Sequence, residues 1–251
     1  MPTSEICADA WLAALFGHPV FQIRPGAAAG GDAGAALAQH ARSQPRAFYF
    51  AKVGVADVAT VAGLSRAGMS VVDVSVTFGL AARSAPQAQA LPAGIDIREA
   101  RDADAAAVLD IAETSFRYSR FHLDPLIPSR LANQIKREWM ASYLARRRGE
   151  CLWIATVDGS PAAFLAVIGG DDHGLRLKTI DLVAVAPSFQ QKGVGRALVH
   201  FFLARYGSGC DRLQVGTQIA NVASCRLYEA SGMRIERAEY VLHMHVAATP
   251  S

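Results

Sequence analysis

The loop Gln190-Gln191-Lys192-Gly193-Val194-Gly195 has the composition to bind a phosphate through its backbone. It follows an apolar strand ending Val183-Ala184-Val185-Ala186-Pro187, and a helix opens at once with Arg196-Ala197-Leu198. The first turn of a helix leaves N–H groups unpaired, and the helix dipole adds partial positive charge, so an anion is stabilised there. Glycines at 193 and 195 let the main chain approach a phosphate with no Cβ in the way. The spacing is not that of a P-loop, which ends Gly-Lys-Ser/Thr, nor of the dinucleotide fingerprint, which has a third glycine. A second block runs Asn221-Val222-Ala223-Ser224-Cys225-Arg226-Leu227-Tyr228. Asn221 suits a helix N-cap, and Tyr228, two turns further on, projects from the same face.

Around these blocks the patterning predicts alternating strands and helices. Strands are expected over 20–24, 48–53 and 69–78, with helices over 32–44 and from a cap at Asp57. The segment 81–94, AARSAPQAQALPAG, lacks apolar periodicity and reads as a linker. The expected organisation is therefore an α/β subdomain over 1–80, a linker over 81–94 and a second domain over 95–251. The second domain opens with a strand at 95–99 and a helix capped by Asp102, with Ala106, Leu109, Ile111 and Ala112 inward. A polar, aromatic loop and a helix over 129–148 follow, and Arg146-Arg147-Arg148 at its end reads as surface charge that complements the dipole. A hairpin turning at Asp158-Gly159-Ser160 comes next, then a strand over 175–185. A helix (194–206), a strand (212–216), a helix (222–230) and a strand (233–243) complete an α/β fold with a mixed, twisted sheet. One internal echo stands out: residues 55–78 align without gaps on 219–242. Read as a duplicated half-fold, the first copy keeps the scaffold and lacks the chemistry, with Leu64 opposite Tyr228 and no glycine loop before it.

Gln190, Gly193 and Gly195 after Val185-Ala186-Pro187, together with Asn221 to Met233, resemble the GNAT superfamily of N-acetyltransferases. Its motifs are Gln/Arg-x-x-Gly-x-Gly/Ala after a Val-x-Pro strand end and N-x-x-A-x-x-L-Y-x-x-x-G-F/M. Gln191 departs from the pattern, since many members have glycine there. The resemblance implies a GNAT fold preceded by a smaller α/β subdomain, the degenerate half-GNAT repeat of the internal echo. It implies acetyl-CoA as co-substrate, its diphosphate held by main-chain amides from Gln191 through Lys192, Gly193, Val194 and Gly195 to Arg196. Asn221 would contact the pantetheine arm, and Tyr228 would protonate the departing thiolate. The strand bearing Val183 and Val185 would pair with the pantetheine amides and present N–H to the thioester carbonyl. The base stays open between Asp181, expected on the strand face of Val183 and Val185, Glu113, His173 and a water chain.

Three further segments, LFGHPVFQIRP, SFRYSRFHLDP and LQVGTQIANVASCRLYEASGM, resemble the TDP-fucosamine N-acetyltransferases within that superfamily. Those enzymes acetylate the 4-amino group of a nucleotide-linked deoxysugar. The resemblance makes the loop carrying Arg117, Tyr118, Arg120, Phe121 and His122 part of the acceptor pocket, with arginine for a diphosphate and aromatics for a base or sugar face. Other GNAT acceptors (a polyamine, an antibiotic, a protein N-terminus) and a silent acyl-CoA sensor are the alternatives. The Arg and aromatic content of the loop suits an anionic acceptor better than a polycation.

The bulk numbers agree with an enzyme of small molecules. The net charge of +3, from 25 basic and 22 acidic residues, is too small and too evenly spread for nucleic acid. No apolar run is long enough to span a membrane, and the acidic N-terminus does not read as an export signal. The four cysteines are scattered, without CxxC or a histidine cluster at ligand spacing, which suggests cytoplasmic thiols and no metal. A homodimer is compatible with these numbers.

Overall fold

The computed structural model describes residues 5–26, 32–172 and 174–247. The first part of the chain runs β1 (Glu5–Ala8), α1 (Ala10–Phe16), β2 (Val20–Arg24), α2 (Asp32–Arg42), β3 (Ala47–Gly54), α3 (Val58–Arg66) and β4 (Ser70–Ala81). Then come β5 (Ile95–Glu99), α4 (Ala105–Thr114), α5 (Arg120–Leu123), α6 (Ser129–Leu144), β6 (Cys151–Val157), β7 (Ser160–Asp172) and β8 (Leu175–Val185). The chain closes with α7 (Val194–Tyr206), β9 (Arg212–Gln218), α8 (Val222–Ala230) and β10 (Arg234–Val246). Among the described residues no helix is long and apolar enough to cross a membrane.

All ten strands form one mixed sheet in the order β1-β2-β3-β10-β4-β9-β8-β7-β6-β5. Helices α2, α3, α7 and α8 cover one face, where Leu37 and Leu64 pack on Tyr49 and Leu242, and Leu198, Phe202 and Tyr228 pack on Phe78 and Val215. The opposite face carries α1, α4, α5 and α6, through Leu12, Phe121 and Ile135 in one half and Ile111, Met140 and Tyr143 in the other. Strands of 1–80 and 95–251 interleave in the sheet: β10 lies between β3 and β4, and β4 pairs with β9. The halves are thus joined along strands as well as through 81–94.

The pairing registers repeat the internal echo. With Val55 set against Ile219, counterparts are 219 − 55 = 164 positions apart. The β4–β9 pairs Ser75↔Gln218 and Val76↔Thr217 have as counterparts the β10–β3 pairs Glu239↔Gly54 and Tyr240↔Val53. Ser75↔Glu239 is its own counterpart, so a pseudo-twofold axis passes between β4 and β10. The parallel pair β2–β3 (Gln22↔Phe50) likewise corresponds to the parallel pair β8–β9 (Thr179↔Gln214). Local detail follows: Asp57 caps α3 as Asn221 caps α8, and Gly68 and Gly232 both adopt positive φ before a buried methionine. The copies differ where a cleft could form. Helices α2 and α3 press together through Gly34, where a Cβ would run into the carbonyl of Gly63.

Some predicted boundaries shift. The N-terminal strand β1 and helix α1 were not predicted; Asp9 caps α1 by accepting a hydrogen bond from Leu12 N at 2.9 Å. Asp102 does not cap α4. Asp104 is held instead by Arg98 (2.6 and 2.8 Å) and the amide of Arg101, so the helix starts at Ala105 and buries Val108, Ile111 and Ala112 while Ala106 is exposed. The aromatic loop contains α5, and α6 ends at Leu144, four residues short of 148.

Candidate active site

The main geometric feature is a gap between β8 and β9. Their parallel pairing covers only Leu177 to Ile180 against Arg212 to Val215. Beyond it β8 stays paired with β7 up to Val185, while among the described residues no strand pairs with its other edge, which leaves backbone groups on that edge open to an extended ligand. The glycine loop closes one end of this gap. Gln190 turns back to donate from Nε2 to Val185 O at 3.2 Å, Gln191 and Gly193 take φ of +61° and +82°, and Gly193 stands at the N-cap of α7. The amides of Gln191 to Arg196 find no carbonyl partner among the described residues. Gln191, Lys192, Gly193 and Arg196 are exposed, whereas the Val194 side chain is buried and pins the turn to the core. A Cβ on Gly193 would meet nothing within 4 Å, and one on Gly195 would lie 3.6 Å from Val185 and 3.7 Å from Leu227. The turn therefore forms a cradle of amides that fits a diphosphate, and it brings the end of β8, the start of α7 and the Tyr228 helix together.

Tyr228 lies on the same side of the sheet as that cradle. It is 3% exposed, its ring centroid is 5.5 Å from that of Phe78, and burial pushes its hydroxyl pKa well up, so it is protonated at neutral pH. Asn221 spends its Oδ1 on the amide of Ser224 (3.3 Å) as the cap of α8.

The candidate bases separate clearly. A bulge in the β7–β8 pairing between Ile180 and Leu182 turns Asp181 to the α6 face, away from the side that Val183 and Val185 share. That corrects the strand-face expectation, because strict alternation fails at a bulge. Burial alone would raise Asp181, but Arg148 (2.8 and 3.1 Å), Tyr143 (2.8 Å) and Trp139 (3.0 Å) donate to it and hold it below the usual carboxylate range. Such a carboxylate is a poor base. Glu113 pairs with Arg137 at 3.1 Å, and His173 lies outside the described residues. On the same face, but on β4, burial pushes the Asp73 carboxyl up to about 6 against the opposing pull of the Val74 amide and the Lys52 charge, and among the described residues neither of its oxygens makes a hydrogen bond of normal geometry.

The α6 face also holds a cavity of about 450 Å³, lined by Asp9, Trp11, Leu12, Arg120, Phe121, Trp139, Ser142, Arg147 and Arg148. Trp11 of α1 meets Trp139 of α6 edge-on at 5.9 Å, so the N-terminal segment forms one wall. Of the four predicted acceptor residues, Arg120 and Phe121 line this cavity. Arg117 and Tyr118 instead face solvent, because α5 turns only from Arg120 onward inward. Arg148 is a cavity residue and not surface charge: the helix stops at Leu144, and Arg148 folds back over Trp139 (4.6 Å) onto Asp181, whereas Arg146 and Arg147 are exposed as expected, with Arg147 at the cavity's edge.

Tertiary structure also assembles a cluster of Asp124, His243 and His245 with ligand atoms within 4.8 Å of one another. His243 Nδ1 and His245 Nε2 both meet Asp124 Oδ2, at 2.7 and 2.8 Å, so one carboxylate oxygen serves both imidazoles. Burial lowers His243 to about 4, so it is neutral. Its Nε2, 3.4 Å from Arg120 Nη1, accepts from the guanidinium.

Sequence reasoning overlooked Lys136, Trp139 and Asp73, though each leaves a trace. Ala132, Ile135, Trp139, Met140 and Tyr143 make an apolar stripe at helical spacing, and Lys136 occupies a position inside it. In β4, Asp73, Ser75 and Thr77 alternate with Val74, Val76 and Phe78, an alternation unexpected for a strand covered on both faces.

Residues 106–233 match the model of the acetyltransferase (GNAT) family. The chain belongs to that family. A curated relative, the spore coat polysaccharide biosynthesis protein SpsD of Bacillus subtilis (strain 168), is 30% identical over 142 residues, which cover 56% of this chain and 47% of SpsD. The chain thus matches about half the length of that relative. Two solved structures share the fold over nearly the whole chain. A GCN5-related N-acetyltransferase from Sphaerobacter thermophilus has a TM-score of 0.67 at 14% identity, covering 99% of this chain and 78% of its own. The tandem GNAT protein from the clavulanic acid biosynthesis pathway has a TM-score of 0.60 at 15% identity, covering 92% and 76%.

Proposed function

We propose that this chain transfers the acetyl group of acetyl-CoA to the amine of a nucleotide-activated amino sugar, with a TDP-linked 4-amino-deoxysugar as the first acceptor to test. The observation that carries the reading is the cavity on the α6 face, where two tryptophans and three arginines surround a space suited to a base, a diphosphate and a sugar. SpsD, a relative named for polysaccharide biosynthesis, supports the same direction.

Acetyl-CoA supplies an activated acyl carbon on a good leaving group. The amides from Gln191 to Arg196 hold its diphosphate, the free edge of β8 at Val183 and Val185 pairs with the pantetheine arm, and Asn221 flanks that arm. The amine approaches from the cavity face. As its nitrogen bonds to the carbonyl carbon, amides of β8 stabilise the charge on the carbonyl oxygen. The C–S bond then breaks, the nitrogen gives up its proton, and the Tyr228 hydroxyl protonates the thiolate. Asp73 and water are the proton acceptors compatible with the site, since Asp181 is committed to three donors.

Thiol release from acetyl-CoA, followed with a panel of TDP- and UDP-linked amino sugars, polyamines and peptides, tests the proposal. Turnover confined to nucleotide-linked amino sugars is the expected result. Turnover on polyamines or peptides alone would end the nucleotide-sugar reading, and CoA binding without turnover on any amine would favour an acyl-CoA sensor.

A further inference from the structure

Lys136 is 7% exposed, yet it makes no ion pair among the described residues. Its Nζ sits 4.8 Å from the ring centroid of Phe116 and 4.9 Å from that of Trp139. Aromatic faces attract a cation but carry no counter-charge. Arg120 is in a similar state. Its guanidinium lies 3.9 Å over Phe50 and 4.3 Å over Phe121, and its one polar contact is with neutral His243. The acids nearest to these cations are already engaged. Asp181 accepts from Trp139, Tyr143 and Arg148, Asp124 accepts from two histidines, and Asp9 caps α1. Burial pushes Lys136 down to about 8 and Arg120 down to about 10; the charges of Asp181 and Asp9 offset this only in part, and Arg120, Arg148 and Lys52 depress Lys136 further. Trp139 ties the group together, since its ring lies under both Lys136 and Arg148 and lines the same cavity as Arg120. Holding like charges together out of water is costly unless an anion joins them.

We infer that Arg120, in the lining of the cavity, and Lys136, beside the Trp139 ring that also lines it, form an anion site and hold the diphosphate of the acceptor. This rests on the nucleotide-sugar reading and adds to it a residue, Lys136, and a division of labour. Arg120 is oriented by the Asp124–His243 pair to offer its remaining N–H groups in a fixed plane, whereas Lys136 supplies a point charge from the helix above. The rings of Trp11 and Trp139 are left for the base or the sugar.

The test is calorimetric titration of CoA-saturated protein with thymidine 5′-diphosphate, uridine 5′-diphosphate, inorganic pyrophosphate and unphosphorylated thymidine. Saturation with CoA blocks the glycine loop, so binding reports the second site. The diphosphates are expected to bind and thymidine not to. Lys136→Met should weaken them about tenfold or more, Lys136→Arg should stay within about threefold of wild type, and Arg120→Gln should repeat the loss. CoA affinity and Tm should not fall in Lys136→Met, because an isosteric apolar stem replaces an uncompensated buried ammonium. Wild-type affinity for diphosphates in Lys136→Met would overturn the assignment. So would a collapse of kcat in Lys136→Arg with KM unchanged, since Lys136 would then carry a proton. Absence of diphosphate binding to the wild type, with acetyl transfer to some other amine intact, would remove this site and leave the transferase standing.

Discussion

Replacing Asp73 with asparagine should make the protein more stable at neutral pH, by an amount the structure allows to be worked out. The Asp73 carboxylate sits on a strand covered on both faces, makes no hydrogen bond of normal geometry among the described residues, and is pushed by burial from the ordinary 3.8 to about 6, which the Val74 amide and the Lys52 charge offset only in part. A raised carboxyl pKa means that the folded state holds its proton more tightly than the unfolded chain does. The stabilising proton is fully present below about 3.8 and is lost as pH rises through about 6, so the ionised group opposes folding above that range. At about 1.36 kcal/mol for each tenfold change in proton affinity, the full penalty is about 3 kcal/mol. Because the unfolded chain is already mostly ionised at pH 4.5, about 2 kcal/mol of that penalty develops between pH 4.5 and pH 8. Urea unfolding of wild type and Asp73→Asn at the two pH values measures the difference directly. The cost of burying an amide in place of the carboxyl is the same at both and cancels. The variant should gain about 2 kcal/mol relative to wild type on going from pH 4.5 to 8. A stability difference that is flat with pH would refute the reasoning, for it would show Asp73 titrating as a solvated or partnered acid.

Tyr228→Phe should lower kcat roughly 10²-fold while leaving acetyl-CoA affinity unchanged, measured by initial rates and calorimetry; an undiminished kcat removes Tyr228 from the chemistry. Gly193→Val places a branched residue at φ +82° in the amide cradle and should weaken acetyl-CoA more than acceptor, with equal loss on both ligands indicating misfolding instead. Asp181→Asn leaves Arg148 without its carboxylate and should cost about 3 kcal/mol of stability, yet the acid limb of the kcat/KM profile should persist, because three donors make Asp181 a poor base. Loss of that limb would restore it as the base. Trp11→Ala opens one wall of the cavity and should raise the acceptor KM with little change in acetyl-CoA affinity. Unchanged acceptor KM would place substrate elsewhere.

What was legible beforehand was local. Gln190 to Gly195 and Asn221 to Tyr228 are contiguous, and their consequences (a tight turn, a free helix N-terminus, a cap) depend on neighbours within a few residues, so periodicity and spacing sufficed. The same holds for the hairpin at Asp158-Gly159, where both residues take positive φ, and for the echo between 55–78 and 219–242. The α6 face with its cavity was not legible, because it is made of pairings at long separation. Asp124 meets His243 across 119 positions, Trp139 meets Asp181 across 42, and Trp11 reaches α6 from the far end of the chain. Asp181 shows the limit most plainly: alternation along β8 assigns it to one face, and a single bulge, set by how β8 pairs with β7, puts it on the other. Sequence by itself determined which segments turn, which cap a helix and which leave their own backbone amides unpaired. Only the folded sheet, by stacking strands from both halves side by side, decided which charges end up buried together, since burial and charge pairing are properties of neighbours in space and not in sequence.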